Sequence, residues 1–380
     1  MKSIKYIWAI LFVGFLVIIL LFGCGKTPIE PSINSNPTFT LQGFNICAWG
    51  KDWWYDDALV DKALRFAIEE GSNFVVLDWS VNFYDDGKMV PLDASTSLHP
   101  YWDDIRKLII KAKAKGLYVM LKPHTTLSNS AENRNIWNTD VNIFKPSNFF
   151  PAYKTYLTQL AEFATQNKVD AICIGTEMNH LDWMFRDEWV DLINTIRYKF
   201  NGKLTYDALF NRWNYGIKDI DEVIFWDQLD FIGVSLYVPI TTDDDARVET
   251  LKQGWFEDLG NWFEIDNVII YLKGIANRYN KQIIALEGGY PSVTGGLYLV
   301  NIDPSEEKYA NYDLQSRGLD AYLSVLDENK ENWFKGVSLW QITPYMIREE
   351  ALSSIYHTQE FTVYKKPAAE VVKKHYIKPL

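Results

Sequence analysis

Cysteine is nearly absent: Cys24, Cys47 and Cys173 are the only three in 380 residues. So few thiols argue against a disulfide framework, and Cys47 and Cys173 sit inside apolar runs, where a thiol serves as a small core residue. Excess positive charge is missing too. The formal net charge is −11, which argues against nucleic acid as a partner, because its binding needs a basic patch. No Gly-x-Ser-x-Gly elbow supports an esterase of that type. No glycine-rich loop follows the first apolar run to hold a nucleotide. The five histidines, His99, His124, His180, His357 and His375, show no His-x-x-x-His or Cys/His spacing, so neither metal nor cofactor is expected.

What is present is apolar and aromatic. Hydrophobic residues make up 48% of the chain, enough for a large core without staples. Fifteen Trp and 22 Tyr either fill that core or line a cleft, where an indole can stack on the apolar face of a sugar. At the N-terminus, Lys2 and Lys5 precede an apolar stretch from Ile7 to Phe22, as in a signal peptide. The ending Leu21-Phe22-Gly23-Cys24 resembles the bacterial lipobox, which implies lipidation of Cys24. Phe22 departs from the small or aliphatic residue usual there, and an uncleaved anchor is the alternative. Residues 1–24 are thus expected to be a leader, residues 25–40 a tether rich in Pro, Ser and Asn, and residues 41–380 the folded body. Either leader places that body outside the cytoplasmic membrane.

From Gly43 onward, apolar runs alternate with amphipathic stretches. The runs are Gly43–Trp49, Phe74–Trp79, Leu117–Lys122, Ala171–Gly175, Leu204–Ala208, Phe231–Leu236, Ile283–Leu286 and Gly336–Trp340. Each is short, rich in β-branched or aromatic residues and poor in polar alternation, as strands buried on both faces are. Helical periodicity appears over Leu59–Glu70, Trp102–Lys115, Tyr153–Gln166, Glu188–Phe200, Val268–Tyr279 and Leu314–Leu326, and from about Phe361 to the end. The first two stop at Gly71 and Gly116, as helices often do. Eight strand–helix units predict one α/β domain, a (β/α)₈ TIM barrel, with an open doubly wound sheet as the alternative.

In such a barrel the chemistry lies where strands end at the C-terminal face. Run four ends in Gly175-Thr176-Glu177 and run seven in Glu287-Gly288-Gly289-Tyr290. Strands 4 and 7 lie on opposite sides of the mouth, so the two carboxylates can face each other. At a separation of about 5–5.5 Å, one can attack an anomeric carbon while the other protonates the leaving oxygen, with retention. Glu287 is expected to stay ionised, helped by a hydrogen bond from a group such as Tyr237. Glu177 then faces that charge and keeps its proton. For either Glu alone the competing reading is a buried salt bridge, for instance with Lys122.

Glutamates ending strands 4 and 7 are the signature of clan A of the retaining glycoside hydrolases. Within it, Val119-Met120-Leu121-Lys122-Pro123-His124, Ile172-Cys173-Ile174-Gly175-Thr176-Glu177 and Ala285-Leu286-Glu287-Gly288-Gly289-Tyr290 resemble glycoside hydrolase family 113, the β-mannanases. The resemblance spans about Gly43 to Trp340. It implies Glu177 as acid/base and Glu287 as nucleophile. It also implies sugar contacts from Lys122 and His124, an orienting role for Tyr237 and a stacking platform at Trp340. Thr176 stands where most of clan A has Asn, and Gly288-Gly289 replaces a bulkier residue.

Other rim positions carry weaker signals. Trp49 and Trp79, each ending a run, are candidate sugar contacts; Asp78 beside Trp79 could equally form a rim salt bridge. The stretch Thr125–Ser147, with Trp137, is long enough to build a binding subsite. Asp243-Asp244-Asp245 could hold calcium or form a solvated acidic turn. The expected activity is retaining hydrolysis of a β-1,4-mannan-type glycan. Another β-glycan (glucan, galactan or xylan) is the alternative enzyme reading, and a noncatalytic glycan-binding lipoprotein at the membrane is the reading from a different class.

Overall fold

Side chains with two buried faces need a sheet covered on both sides, and the eight apolar runs obtain it by closing on themselves. They form β1 (Leu41–Ala48), β2 (Phe74–Phe83), β3 (Tyr118–Leu127), β4 (Ala171–Thr176), β5 (Lys203–Leu209), β6 (Ile232–Leu236), β7 (Ile283–Gly288) and β8 (Phe334–Ile342). Every neighbour is parallel, and β8 returns to pair with β1, which closes the barrel. The computed structural model describes residues 36–48, 56–90, 102–127, 144–178, 180–210, 220–257, 267–298 and 309–378. Chain contacts separate Met1–Pro31 from Ser32–Leu380, and only the second unit is described. The leader, Cys24, most of the tether, Trp49 and Trp137 lie outside the described residues. Among those described, no helix is long and apolar enough to cross a membrane.

Among the described residues, seven helices of nine residues or more coat the barrel: α1 (Asp57–Glu69), α2 (Trp102–Ala114), α3 (Pro146–Gln166), α4 (Arg186–Lys199), α5 (Val268–Tyr279), α6 (Tyr312–Asn329) and α7 (Ala368–Tyr376). Local chemistry starts several of them. Asp56 accepts from the amides of Ala58 and Leu59 ahead of α1, and Asn267 and Asn311 cap α5 and α6 in the same way. After β5, the described residues hold only two 3₁₀ turns, Ile220–Glu222 and Trp226–Gln228, where the alternation predicts a helix.

Strand alternation splits the core in two. Phe74, Val76, Met120, Ala171, Cys173, Phe231, Ile284 and Leu286 fill the barrel interior with Leu41. The intervening residues, among them Val75, Leu77, Val119, Leu121, Ile172 and Ile174, pack outward against the helices. Each such buried aliphatic or Phe side chain contributes about 1.5–3 kcal/mol. The apolar interior layer forms a dry floor, so polar side chains one or two positions further along each strand are stacked above it.

Candidate active site

The polar layer begins with Asp78 on β2, Lys122 and His124 on β3, Asp207 on β5, Ser235 on β6 and Glu287 on β7, all buried. At its centre is the Lys122 ammonium, which is wholly inaccessible to solvent. It lies 3.0 Å from Asp78 Oδ2 and 3.1 Å from Asp207 Oδ2, and makes a short contact with Glu287 Oε1. Burial opposes its charge, but Glu287, Asp78 and Asp207 outweigh that cost and raise its pKa well above the ordinary lysine value. Lys122 is therefore a fixed cation beneath the mouth. The expected sugar contact at this position is corrected: β3 runs on to Leu127, so Lys122 is mid-strand and sealed rather than at the rim. The buried salt bridge weighed for a lone Glu is real, and Glu287 makes it.

Glu287 has donors on both oxygens. Lys122 takes Oε1, and the Tyr237 hydroxyl donates to Oε2 at 2.9 Å. Burial, and then the charge of Glu287, push the Tyr237 pKa well up, so this phenol remains a donor. A bulge aims the carboxylate. Ala285 pairs with Val234 and Glu287 with Ser235, so β7 holds one residue more than β6 between these pairs. Ile284 and Leu286 face inward, and regular alternation would have turned Glu287 outward. Asn45 secures the bulge from β1, its amide donating to Leu286 O at 2.7 Å and to Ser338 Oγ at 3.0 Å. The glycines that follow have a steric reason. A Cβ on Gly288 would lie 2.2 Å from the Tyr322 hydroxyl oxygen, and Gly289 has φ +127°, where side chains are strained.

Glu177 leaves β4 in a left-handed turn, φ 49°. Its amide donates to Asp207 O at 2.8 Å, and the next amide, Met178, donates to the Tyr206 hydroxyl at 2.6 Å. Tyr206 in turn donates to Asp182 at 3.1 Å. These bonds hold a non-glycine residue in a conformation it would otherwise avoid. Burial, and then the Glu287 charge, raise the Glu177 pKa; His124, a hydrogen bond with Ser235 and Lys122 oppose the rise. Glu177 therefore holds its proton to higher pH than an ordinary glutamate.

His124 is buried with Nδ1 3.8 Å from Asp78 Oδ2. Burial works against its charge, yet the Asp78 carboxylate, helped by Glu287, lifts the pKa to about 9. Its ring lies 6.4 Å from that of Trp340. Trp340 is half-buried on β8 and lies 5.1 Å from the Lys122 ammonium, so it covers the charged layer as a cation–π partner. The Trp340–Gln341 peptide is cis. Trp79 is a second correction. On β2, Asp78 meets Lys122 inside while Trp79 points outward into the core. Its indole N–H donates to the Tyr156 hydroxyl on α3 at 2.9 Å, so it is out of reach of the mouth. Asp78, weighed between a sugar contact and a salt bridge, makes the salt bridge with Lys122; Asp207 and Ser235 were not singled out as site residues from sequence. For Asp207 a signal existed, a lone acid inside the apolar run Leu204–Ala208.

Asp78, His124 and Glu287 bring ligand atoms within 4.8 Å of one another. The Lys122 ammonium already contacts both carboxylates and supplies the positive charge a metal would bring. Asp243-Asp244-Asp245 forms a turn in which Asp244 accepts the Gly295 amide at 2.9 Å and Asp243 accepts the Asp245 amide at 3.0 Å. His180 is half-buried in the turn ahead of Leu181–Met184, its ring 5.6 Å from Trp183.

Acidic groups gather at the C-terminal mouth of a parallel eight-stranded barrel, the face on which (β/α)₈ enzymes carry their active sites, and the comparisons with known proteins give the class. The family model of Glycoside Hydrolase Family 113 matches residues 45–366, so the chain belongs to that family and is a glycoside hydrolase. Among solved structures it is similar to a GH113 β-1,4-mannanase, with 23% identity and TM-score 0.70 over 89% of this chain and 99% of the other. The GH113 β-mannanase of Alicyclobacillus acidocaldarius in complex with ManMIm gives 22% identity and TM-score 0.68 over 90% and 97%. The endo-β-1,4-mannanase of Thermotoga petrophila gives 13% and 0.57 over 90% and 77%. At these identities the structural likeness carries the fold. No curated protein matches.

Proposed function

We propose that the protein is a retaining β-1,4-mannanase in which Glu287 is the nucleophile and Glu177 the acid/base. The observation that carries this reading is the unequal treatment of the two carboxyl groups. Glu287 has an ammonium on one oxygen and a phenol on the other, which favours the charged, attacking form. Glu177 is desolvated and faces that charge, so it keeps its proton. Glu287 attacks the anomeric carbon as Glu177 protonates the departing glycosidic oxygen. The Glu287–sugar ester is then hydrolysed by a water that Glu177, now ionised, deprotonates. His124 and Trp340 are assigned to the sugar bound against Glu287.

The test is reducing-sugar release by residues 32–380 on mannan, glucomannan, glucan, galactan and xylan, with Glu177→Ala in parallel. Activity confined to the mannans, reduced about 10²–10⁴-fold in Glu177→Ala, is the expected result. Cleavage of a different glycan keeps the mechanism and replaces the substrate. Tight binding without cleavage of any of them overturns the enzymatic role.

The same proposal puts the barrel outside the cytoplasmic membrane, held by lipid on Cys24. A lipid chain is a reversible anchor that leaves a soluble domain free to meet polymer. Labelled palmitate fed to expressing cells is expected to appear on the full chain and not on Cys24→Ala. Label on both forms would rule out Cys24 as the site.

A further inference from the structure

Six ionisable side chains share the buried layer, and they do not balance. Asp78, Asp207, Glu177 and Glu287 are acids; Lys122 and His124 are the cations. Asp78 faces both cations, and Glu287 takes Lys122 together with Tyr237. Glu177 keeps its proton as the acid. Asp207, with no solvent exposure, has one cation near it, Lys122, shared with two other carboxylates and 3.1 Å from Oδ2. Its charge would be the uncompensated one, and a buried carboxyl in that position takes up a proton instead.

The other oxygen, Asp207 Oδ1, lies 3.2 Å from Ser235 Oγ, and the Ser235 hydroxyl also hydrogen-bonds Glu177. Ser235 carries one proton and stands between two acids. A hydroxyl can donate once, so one of the two contacts must be donated to Ser235 by the acid. Register supports this placement: Ser235 pairs with Leu209 on the strand that carries Asp207, and with Glu287 on the other side.

Resting on the reading of Glu177 as acid/base, we propose that Asp207 and Ser235 are positioning residues forming a one-way hydrogen-bond chain, Asp207 donating to Ser235 and Ser235 donating to Glu177. The chain has two effects. Ser235 occupies an acceptor position of Glu177, which leaves the acidic proton of Glu177 for the glycosidic oxygen. As that proton leaves, the Ser235 bond becomes a charge-assisted one to a carboxylate, so it strengthens along the reaction and stabilises the transition state more than the ground state. Burial, partly offset by Lys122 and reinforced by Glu287 and Glu177, holds Asp207 at a pKa of about 8, which keeps the donor in place through neutral pH. The groups facing Glu177 are Lys122 and His124 on β3, Asp207 on β5, Ser235 and Tyr237 from β6 and just beyond it, and Glu287 on β7. Those facing Asp207 also include Cys173 on β4.

Two substitutions should move one quantity in opposite directions. Ser235→Ala removes a donor that favours ionised Glu177, so the alkaline limb of kcat/KM should shift to higher pH. Asp207→Asn leaves an amide that always donates to Ser235 and a carbonyl that still accepts from Lys122, and at alkaline pH, where Asp207 itself would ionise, it removes a charge that opposes ionised Glu177. Its alkaline limb should shift to lower pH. Ser235→Ala should also lower kcat/KM on an oligosaccharide by about tenfold or more. The loss should be much smaller on the matching dinitrophenyl glycoside, whose leaving group needs no acid. Limbs that stay put or move together, or equal losses on both substrates, would overturn the chain. Asp207→Asn, being isosteric, decides the question on its own if Ser235→Ala folds poorly. Glu177→Ala separates this from the parent reading. If that variant spares the oligosaccharide, the acid/base assignment fails. If it loses the oligosaccharide and spares the aryl glycoside while both limbs stay put, the chain alone fails.

Discussion

Glu287→Ala is expected to lower turnover on the order of 10⁴-fold or more while affinity for the glycan stays within a few-fold. Alanine removes the oxygen that forms the covalent bond, and residues acting as a catalytic unit lose nearly everything when one member is deleted. The groups assigned to sugar contact, His124 and Trp340, remain in place. Lys122 keeps Asp78 and Asp207 as partners, and Asp207, no longer held up by the Glu287 charge, can release its proton to restore the balance. Initial rates and calorimetric titration of the same oligosaccharide measure the two halves of the prediction. Unchanged turnover would remove Glu287 from the mechanism, and loss of binding in step with turnover would make it a binding residue.

Lys122→Met should have the largest effect on stability. The ammonium has three carboxylate neighbours and no exposure to solvent, and deleting one side of such a buried pair costs about 3–5 kcal/mol. The cost depends on pH with a definite sign. Without Lys122, the buried acids have folded pKa values well above those of the unfolded chain. Asp207, at about 8 even with the ammonium present, is the clearest case. Acids with raised folded pKa values destabilise the fold as pH rises from about 4, where an unfolded Asp titrates. The thermal midpoint of Lys122→Met should therefore approach wild type near pH 4 and fall steadily behind toward pH 8. Thermal melts at three pH values decide it. A deficit independent of pH would mean that Lys122 stabilises by packing alone. Turnover should fall as well, because Glu287 loses the donor on Oε1.

Much of this was legible in the sequence for one physical reason. A strand buried on both faces must be apolar along its whole length, so eight such runs pointed to the barrel, and the first acid after two of them marked the mouth. Tyr237 as a donor to Glu287 followed from chain order as well. What failed were inferences that needed a strand's true end or its phase. β2 and β3 continue to Phe83 and Leu127, well past the last apolar residue of each run, because their polar residues are buried inside the barrel. Lys122 consequently lies below the rim, and Trp79 falls on the outward parity. α3 begins at Pro146, earlier than its periodicity suggests, because Pro151 is accommodated inside the helix. Ser235 could not be assigned and Asp207 showed only as a lone acid in an apolar run, since their importance comes from contacts across three strands.

The bulge before Glu287 makes the direction of that side chain a matter of odd and even. The strand before it counts inward residues in steps of two, and the extra residue changes the count once. A single-residue deletion between Ile284 and Glu287 would take away the extra residue, and regular alternation alone would then carry Glu287 inward, two positions after Ile284. Loss of two residues would leave Glu287 directly after Ile284 and turn the carboxylate into the packed layer against the helices, while every residue type at the mouth stayed the same. Chains that share this barrel but lack both residues here, or that keep the length and lose the bulge, can thus carry the same glutamate and lack the reaction, so the parity of a gap in this strand carries functional information that a substitution beside it does not.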